Sequence, residues 1–224
     1  MTRRLVIRDA RAAPGSGPAG LAWDGERLWQ ADYRDGLIYA IDLQGGAVQR
    51  SLYCPGNLSG LTWDGHSLWQ SLFDQEMIRR INPQTNDFDE TIILEGRGWL
   101  SGVAWDGRRL WVVAQQKGLL LSIDLETNKF ESPVAGPIAM GDIDFHDGCL
   151  WASMAGPMEF DRALGRFNWL SDSPDYAVVQ LDPLDGRVIN RYQTESLYSG
   201  LCWVGEDLWL AHSGSRSIFR AGLE

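Results

Sequence analysis

Two aspartates stand two residues apart in the stretch Met140-Gly141-Asp142-Ile143-Asp144-Phe145-His146-Asp147-Gly148. On an extended strand, residues i and i+2 share a face. Two carboxyls held close together raise the pKa of one of them, which prepares a group for general acid–base work. The competing reading is that one or both bond to neighbouring backbone amides and hold the strand in place. His212 is the other candidate base, because imidazole changes charge near neutral pH. Asp142, Asp144 and His212 are therefore the catalytic candidates. Gln30 and Gln70, together with Tyr33, Phe73, Trp99, Glu159, Trp169 and Tyr198, form the candidate binding set. Such a mixture of aromatic and polar side chains suits a small polar ligand. No Gly-x-Ser-x-Gly motif and no phosphate-binding loop occurs, and the three histidines show no metal-ligand spacing. Neither metal nor cofactor is expected.

The elements that must position these residues follow from a repeat. The motif Gly-Leu-x-Trp-Asp-Gly-x-x-Leu-Trp, in more or less complete form, recurs five times, with its Leu-Trp pairs at Leu28-Trp29, Leu68-Trp69, Leu110-Trp111, Leu150-Trp151 and Leu208-Trp209. Within a unit, turn signals separate four short apolar runs: 21–23, 28–31, 37–42 and 48–52 in the first. Asp-Gly follows the first run and Gly45-Gly46 the third. A repeated four-stranded unit of roughly 40 residues is a propeller blade. The predicted fold is an all-β, five-bladed β-propeller spanning 1–224 as one domain, with blades at about 20–59, 60–101, 102–140, 141–199 and 200–224. The last unit lacks its fourth strand, and residues 4–10 precede the first motif without a blade of their own. The N-terminal strand is therefore expected to complete the C-terminal blade and close the ring, which leaves no exposed sheet edge between the ends. Nine of the eleven tryptophans sit at motif positions and are expected to fill space between blades. Trp99 and Trp169 fall outside the pattern.

Departures from a repeat are where function is expected, since the repeat already satisfies the fold. The fourth unit carries two. It replaces Gly-Leu-x-Trp with the aspartate pair, and it holds an insertion at about 154–176, between its second and third strands. Long loops in compact folds tend to be lids or binding elements. The loops expected on the same face bring Asp32-Tyr33-Arg34-Asp35, Phe73-Asp74-Gln75-Glu76, Gln115-Gln116-Lys117 and His212 to Arg216 around one mouth of the ring. Tyr53, Trp99, Ser101, Tyr198 and Ser199 join them from the connections between blades.

Composition bounds the partners. Apolar residues at 44% and charged residues at 22% are those of an ordinary globular chain. The formal charge of −10, with no basic cluster, argues against nucleic acid and anionic membranes. A small-molecule or peptide ligand is expected, on a monomer or weak homo-oligomer. A charge breaks the apolar run of the first eight residues, and no stretch approaches membrane-spanning length. Cys54, Cys149 and Cys202 read as small hydrophobes in a reducing compartment. The expected location is cytoplasmic.

The blade motif, and Met140 to Ser153 above all, resembles the glutamine cyclotransferase family of five-bladed propellers of the plant and bacterial type. That family reads Leu-Asn-Glu-Leu-Glu-Tyr and then, two residues on, Gly-x-Ile-Tyr-Ala-Asn. Here the stretch is Met140-Gly141-Asp142-Ile143-Asp144-Phe145, then Gly148-Cys149-Leu150-Trp151-Ala152-Ser153. The resemblance implies a ligand pocket at one mouth of the channel and, in the family, cyclisation of an N-terminal glutamine. Three family positions differ. Gln30 stands for a glutamate thought to act on the substrate, Gly141 for an asparagine, and His212-Ser213 falls where the family has a lysine. Glutamine can hold a ligand but cannot shuttle a proton. The resemblance then implies a small polar ligand and acid–base chemistry other than glutamine cyclisation. The alternative is a non-catalytic ligand-binding or protein-interaction scaffold.

Overall fold

A computed structural model of the chain describes residues 3–224. It is all-β apart from one short 3-10 turn, Gln115–Lys117. Blade one is Pro18–Trp23, Leu28–Asp32, Leu37–Ile41 and Val48–Tyr53, antiparallel in that order from the centre outward. Blade two repeats it with Leu58–Trp63, Leu68–Leu72, Met77–Ile81 and Phe88–Ile93. Blade three is Leu100–Trp105, Arg109–Ala114 and Leu119–Asp124, with an outer edge in two pieces, Lys129–Phe130 and Val134–Ala135. Pro133 lies between those pieces and has no N–H to give to a ladder. Blade four is Met140–His146, Cys149–Gly156, Asp175–Leu181 and Val188–Thr194.

Blade five takes three strands from the C-terminal end, Gly200–Val204, Asp207–His212 and Ser217–Leu223, and its outer strand from the other end, Arg3–Ala12. Leu5 faces Leu223 and Ala12 faces Ser217 across an antiparallel ladder. Arg3 and Arg4 also pair in parallel with Tyr192 and Gln193 on the outer strand of blade four. One terminal strand thus fastens two blades. The innermost strands meet in a closed cycle, blade one against two, two against three, three against four, four against five and five against one.

The repeat motif has a local reason. In blades one to three the aspartate after the inner strand accepts two amides of its own turn through Oδ1, and through Oδ2 the indole N–H of the tryptophan five residues on. Those indole bonds are Trp29 to Asp24 at 2.7 Å, Trp69 to Asp64 at 2.7 Å and Trp111 to Asp106 at 2.8 Å. One side chain therefore sets the turn and aims the ring. The apolar residues gather in five clusters, each between two neighbouring blades, and each cluster holds one second-strand tryptophan: Trp29, Trp69, Trp111, Trp151 or Trp209. Each such ring removes about 150–250 Å² from water, so these five residues dominate the packing.

At the centre the inner strands approach too closely for a side chain. A Cβ on Gly60 would stand 2.5 Å from the amide nitrogen of Val103, and one on Gly102 2.6 Å from that of Ile143. Blade four has Asp142 at this position. The insertion is a hairpin, Met158–Asp161 paired with Arg166–Trp169. Met154, Ala155 and Gly156 belong to the second strand of the blade and Asp175 and Tyr176 to the third, so the excursion is shorter than the spacing of the repeats implied. Cys54 and Cys202 are buried, Cys149 is half-buried, and all are free thiols. Among the described residues, no helix is long and apolar enough to cross a membrane.

Candidate functional site

The inner strands run from an upper face, which carries the loops between second and third strands, to a lower face, which carries the Asp-Gly turns. At the upper mouth of the channel lies a pocket of about 270 Å³. Tyr33, Phe73 and Tyr198 supply its aromatic wall, and Asn57, Ser59, Ser101, Gln115 and Ser199 its polar one; Gly141 and Asp142 also line it.

The serine hydroxyls are committed as donors. Ser59 Oγ donates to the carbonyl of Ser101, Ser101 Oγ to that of Met140 at 3.0 Å, and Ser199 Oγ to that of Pro18 at 2.7 Å. Each bond reaches the inner strand of the next blade, so the serines tie the ring at this level. Gln115 spends its amide N–H the same way, on Met140 O at 3.0 Å. What the serines leave for a ligand is oxygen lone pairs, and Gln115 leaves its Oε1 and one N–H. The pocket lining contains no Lys or Arg. It therefore favours a ligand that brings N–H donors.

Asp142 supplies the exception. It is 2% exposed, and its Oδ2 accepts the amide of Leu201 in blade five at 3.1 Å and, more weakly, that of Leu21 in blade one at 3.4 Å. Its own amide donates to Ser153 Oγ. Its Oδ1 is buried and has no hydrogen-bond partner. Burial pushes this carboxyl well above the ordinary carboxylate range, against the pull of those amides. Burial thus favours its protonated form, which has one O–H to give.

Asp144 shares the channel but not the pocket. It lines a second pocket at the lower mouth. Its Oδ2 accepts the amide of Trp203 at 2.8 Å and its Oδ1 that of Phe145 at 2.9 Å. Burial raises it to about 7, against the pull of those two amides. The two-residue spacing of the carboxyls matches that of the amides they meet, Leu201 and Trp203. The pair ties the inner strand of blade four to that of blade five, which no backbone ladder joins. The charge of Asp144 is the smallest of the influences on Asp142, so desolvation rather than mutual repulsion sets both groups.

The remaining candidates divide. Tyr33, Phe73 and Tyr198 line the upper pocket; burial raises the Tyr198 hydroxyl. His212 stands behind Tyr198, ring centroids 6.1 Å apart, with Nδ1 accepting the amide of Ser215, and does not reach the pocket. Gln30 and Gln70 are wholly buried in the second strands, donating to the carbonyls of Pro14 and Ala31 and of Gly60 and Ser71. They too lie outside the pocket lining. Trp99 sits one layer behind the rim. It stacks on Phe73 at 5.1 Å and receives Phe160 edge-on at 5.4 Å and Phe167 at 6.3 Å. The blade-four hairpin is thereby joined to a pocket wall through two aromatic contacts. Glu159 is exposed on that hairpin, and Trp169 packs against Tyr176 at 5.7 Å. Asn57 and Leu197 line the pocket without having been singled out; both sit in links between blades, where nothing in their sequence context marks them. Among the described residues, no group of three or more His, Cys, Asp or Glu is placed to hold a metal.

No family model matches the chain. No curated protein sequence matches it either. Solved structures do. The chain is similar to the glutaminyl cyclase of Myxococcus xanthus, at a TM-score of 0.77 and 13% identity, over 100% of this chain and 97% of the other. It is similar to the virginiamycin B lyase of Staphylococcus aureus, at 0.55 and 14%, over 98% and 99%. It also matches Kuenenia stuttgartiensis hydrazine synthase at 0.55 and 15%, over 92% of this chain and 58% of that one. At these identities the likeness establishes a fold of the glutaminyl-cyclase kind, a β-propeller.

Proposed function

We propose that the upper pocket binds a small polar molecule, or the end of a peptide, that carries amine or amide N–H groups, and that Asp142 serves there as a neutral acid. The observation that carries this reading is the buried, unpartnered Oδ1 of Asp142 beside a pocket whose lining has no Lys or Arg and whose serine hydroxyls present only lone pairs. A protonated carboxyl donates one hydrogen bond to a ligand oxygen or a proton to a leaving group. The serine, asparagine and glutamine oxygens accept from the ligand's nitrogens, and Tyr33, Phe73 and Tyr198 cover its apolar part. The likeness to a glutaminyl cyclase fits an amide-bearing ligand. Glutamine cyclisation itself is not part of the proposal. Gln30 stands where the resemblance expects a glutamate, and its side chain is turned into the blade rather than to the pocket.

A second reading is binding without turnover. It is favoured by the spending of both Asp142 and the serines on bonds between blades. Calorimetry with glutaminamide and with propionate tests the common core of both. Saturable binding of glutaminamide, weakened at least tenfold in Tyr198→Ala, and no binding of propionate is the expected result. Equal binding of the two, or of neither, would refute an acceptor-lined ligand pocket. Ammonia or product release from bound amides, lost in Asp142→Asn, separates catalysis from simple binding.

A further inference from the structure

The lower mouth of the channel has the makings of a second, separate site. A cavity of about 180 Å³ lies there, closed off from the upper pocket by the close-packed inner strands and Asp142. Its lining carries one acidic side chain, Asp144, and no Lys or Arg. Each carboxylate oxygen of Asp144 receives one backbone amide, leaving a second acceptor direction free on each. The walls are the residues that end the inner strands: Trp23, Trp63, Trp105, Phe145 and Trp203, one from each blade. Thr62 adds a hydroxyl, and His146 lies flat on Trp203, ring centroids 4.4 Å apart at 12°.

An anionic floor inside a ring of aromatic side chains is an environment for a cation, held by charge and by the ring quadrupoles. The chain's formal charge of −10 raises the local concentration of cations around it. One carboxylate is too few for Ca²⁺ or Mg²⁺, which take six or more oxygens, and among the described residues no group of three or more His, Cys, Asp or Glu is placed for another metal ion. A primary ammonium matches better, since it has three N–H donors for the free directions on Asp144 and for Thr62 Oγ. The cavity volume limits the ligand to a small head group or the end of an alkylammonium chain.

We propose that the lower mouth, built on Asp144 and the ring of inner-strand aromatics, is a binding site for a small primary ammonium group, distinct from the upper pocket. The titratable groups facing Asp144 are His146 on its own strand, Cys202 on the inner strand of blade five and Asp142 above it.

NMR titration with ethylammonium chloride tests this, with ethanol and potassium chloride as controls. The expected result is saturable shifts of the Trp203 and His146 ring signals with ethylammonium alone, and no shift at Tyr198 or Phe73. Asp144→Asn, with its fold checked by circular dichroism, lowers the affinity at least tenfold. Should that variant not fold, His146→Gln titrated at pH 5 and pH 8.5 makes the same distinction, the higher pH binding at least tenfold more tightly because the carboxyl is then ionised. Shifts matched by potassium chloride, shifts confined to Tyr198 and Phe73, undiminished binding in Asp144→Asn, or equal affinity at the two pH values would each overturn the proposal.

Discussion

Asp144 makes the stability of this propeller depend on pH in a direction opposite to that of most carboxylates. Its pKa in the folded chain is about 7 against an ordinary 3.8, and desolvation is the main cause. The folded state therefore binds the proton more tightly than the unfolded chain does. Stability from this group is fully present below pH 4 and is lost as pH rises toward 7. Over the whole range a shift of that size corresponds to about 4 kcal/mol; the interval from pH 5 to pH 8 takes in about two pH units of it, and with partial access at the lower mouth about 1–2.5 kcal/mol is expected. For a chain of this length that is a fall of about 2–10 °C in melting temperature between pH 5 and pH 8. Asp142, raised for the same reason, adds to the fall. Carboxylates of the usual kind do not cancel it within this window: Asp124, held near 2 chiefly by the amide of Thr127, matters only in stronger acid. Asp144→Asn keeps an oxygen for the amide of Trp203 and removes the titration. Thermal melts of wild type and variant at pH 5 and pH 8 provide the assay. A wild-type melting temperature that is flat or rising over that interval, or a variant that loses as much as wild type, would refute burial as the cause.

Three further outcomes follow from the geometry. Asp106→Ala removes the indole bond of Trp111 and two turn amides together, and should cost about 2–3 kcal/mol in urea unfolding, whereas the exposed neighbour change Arg108→Ala should cost under about 1 kcal/mol. Replacing residues 157–174 by Asn-Gly joins Gly156 to Asp175, which already face each other, so the ring should melt within about 5 °C of wild type. Trp99 emission should shift to the red as it loses Phe160 and Phe167. Deleting residues 1–12 uncovers the edge of Ser217–Leu223 and unfastens blade four from blade five, and should give an aggregating, unfolded chain by circular dichroism and light scattering.

The fold was legible because one side chain does two local jobs. The aspartate of each Trp-Asp-Gly turn both forms the turn and bonds the next tryptophan, so the motif had to recur with its spacing intact. Closure by the N-terminal strand was legible from a missing fourth strand and an unassigned first one. The site was legible only in part. Tyr33, Phe73 and Tyr198 lie in loops whose position follows from the blade pattern, and they line the pocket. Gln30 and Gln70 do not, because second-strand side chains at their level turn into the blade and satisfy backbone carbonyls there. The shared face of Asp142 and Asp144 followed from strand alternation. Their separation into an upper and a lower pocket did not, because it depends on how tightly the glycines of the other blades close the channel between them. Asn57 shows the same limit: a link residue meets the pocket only once the ring is closed.

The central claim, that an acceptor-lined upper pocket over Asp142 receives an amine- or amide-bearing ligand, is tested most directly by a crystal structure of the chain soaked with glutaminamide. The ligand is expected against Tyr198 and Phe73, with its nitrogens on the oxygens of Ser199, Gln115 or Asn57 and an oxygen within hydrogen-bond distance of the Asp142 carboxyl. A clear upper pocket at saturating glutaminamide, or a ligand bound elsewhere on the ring, would contradict it.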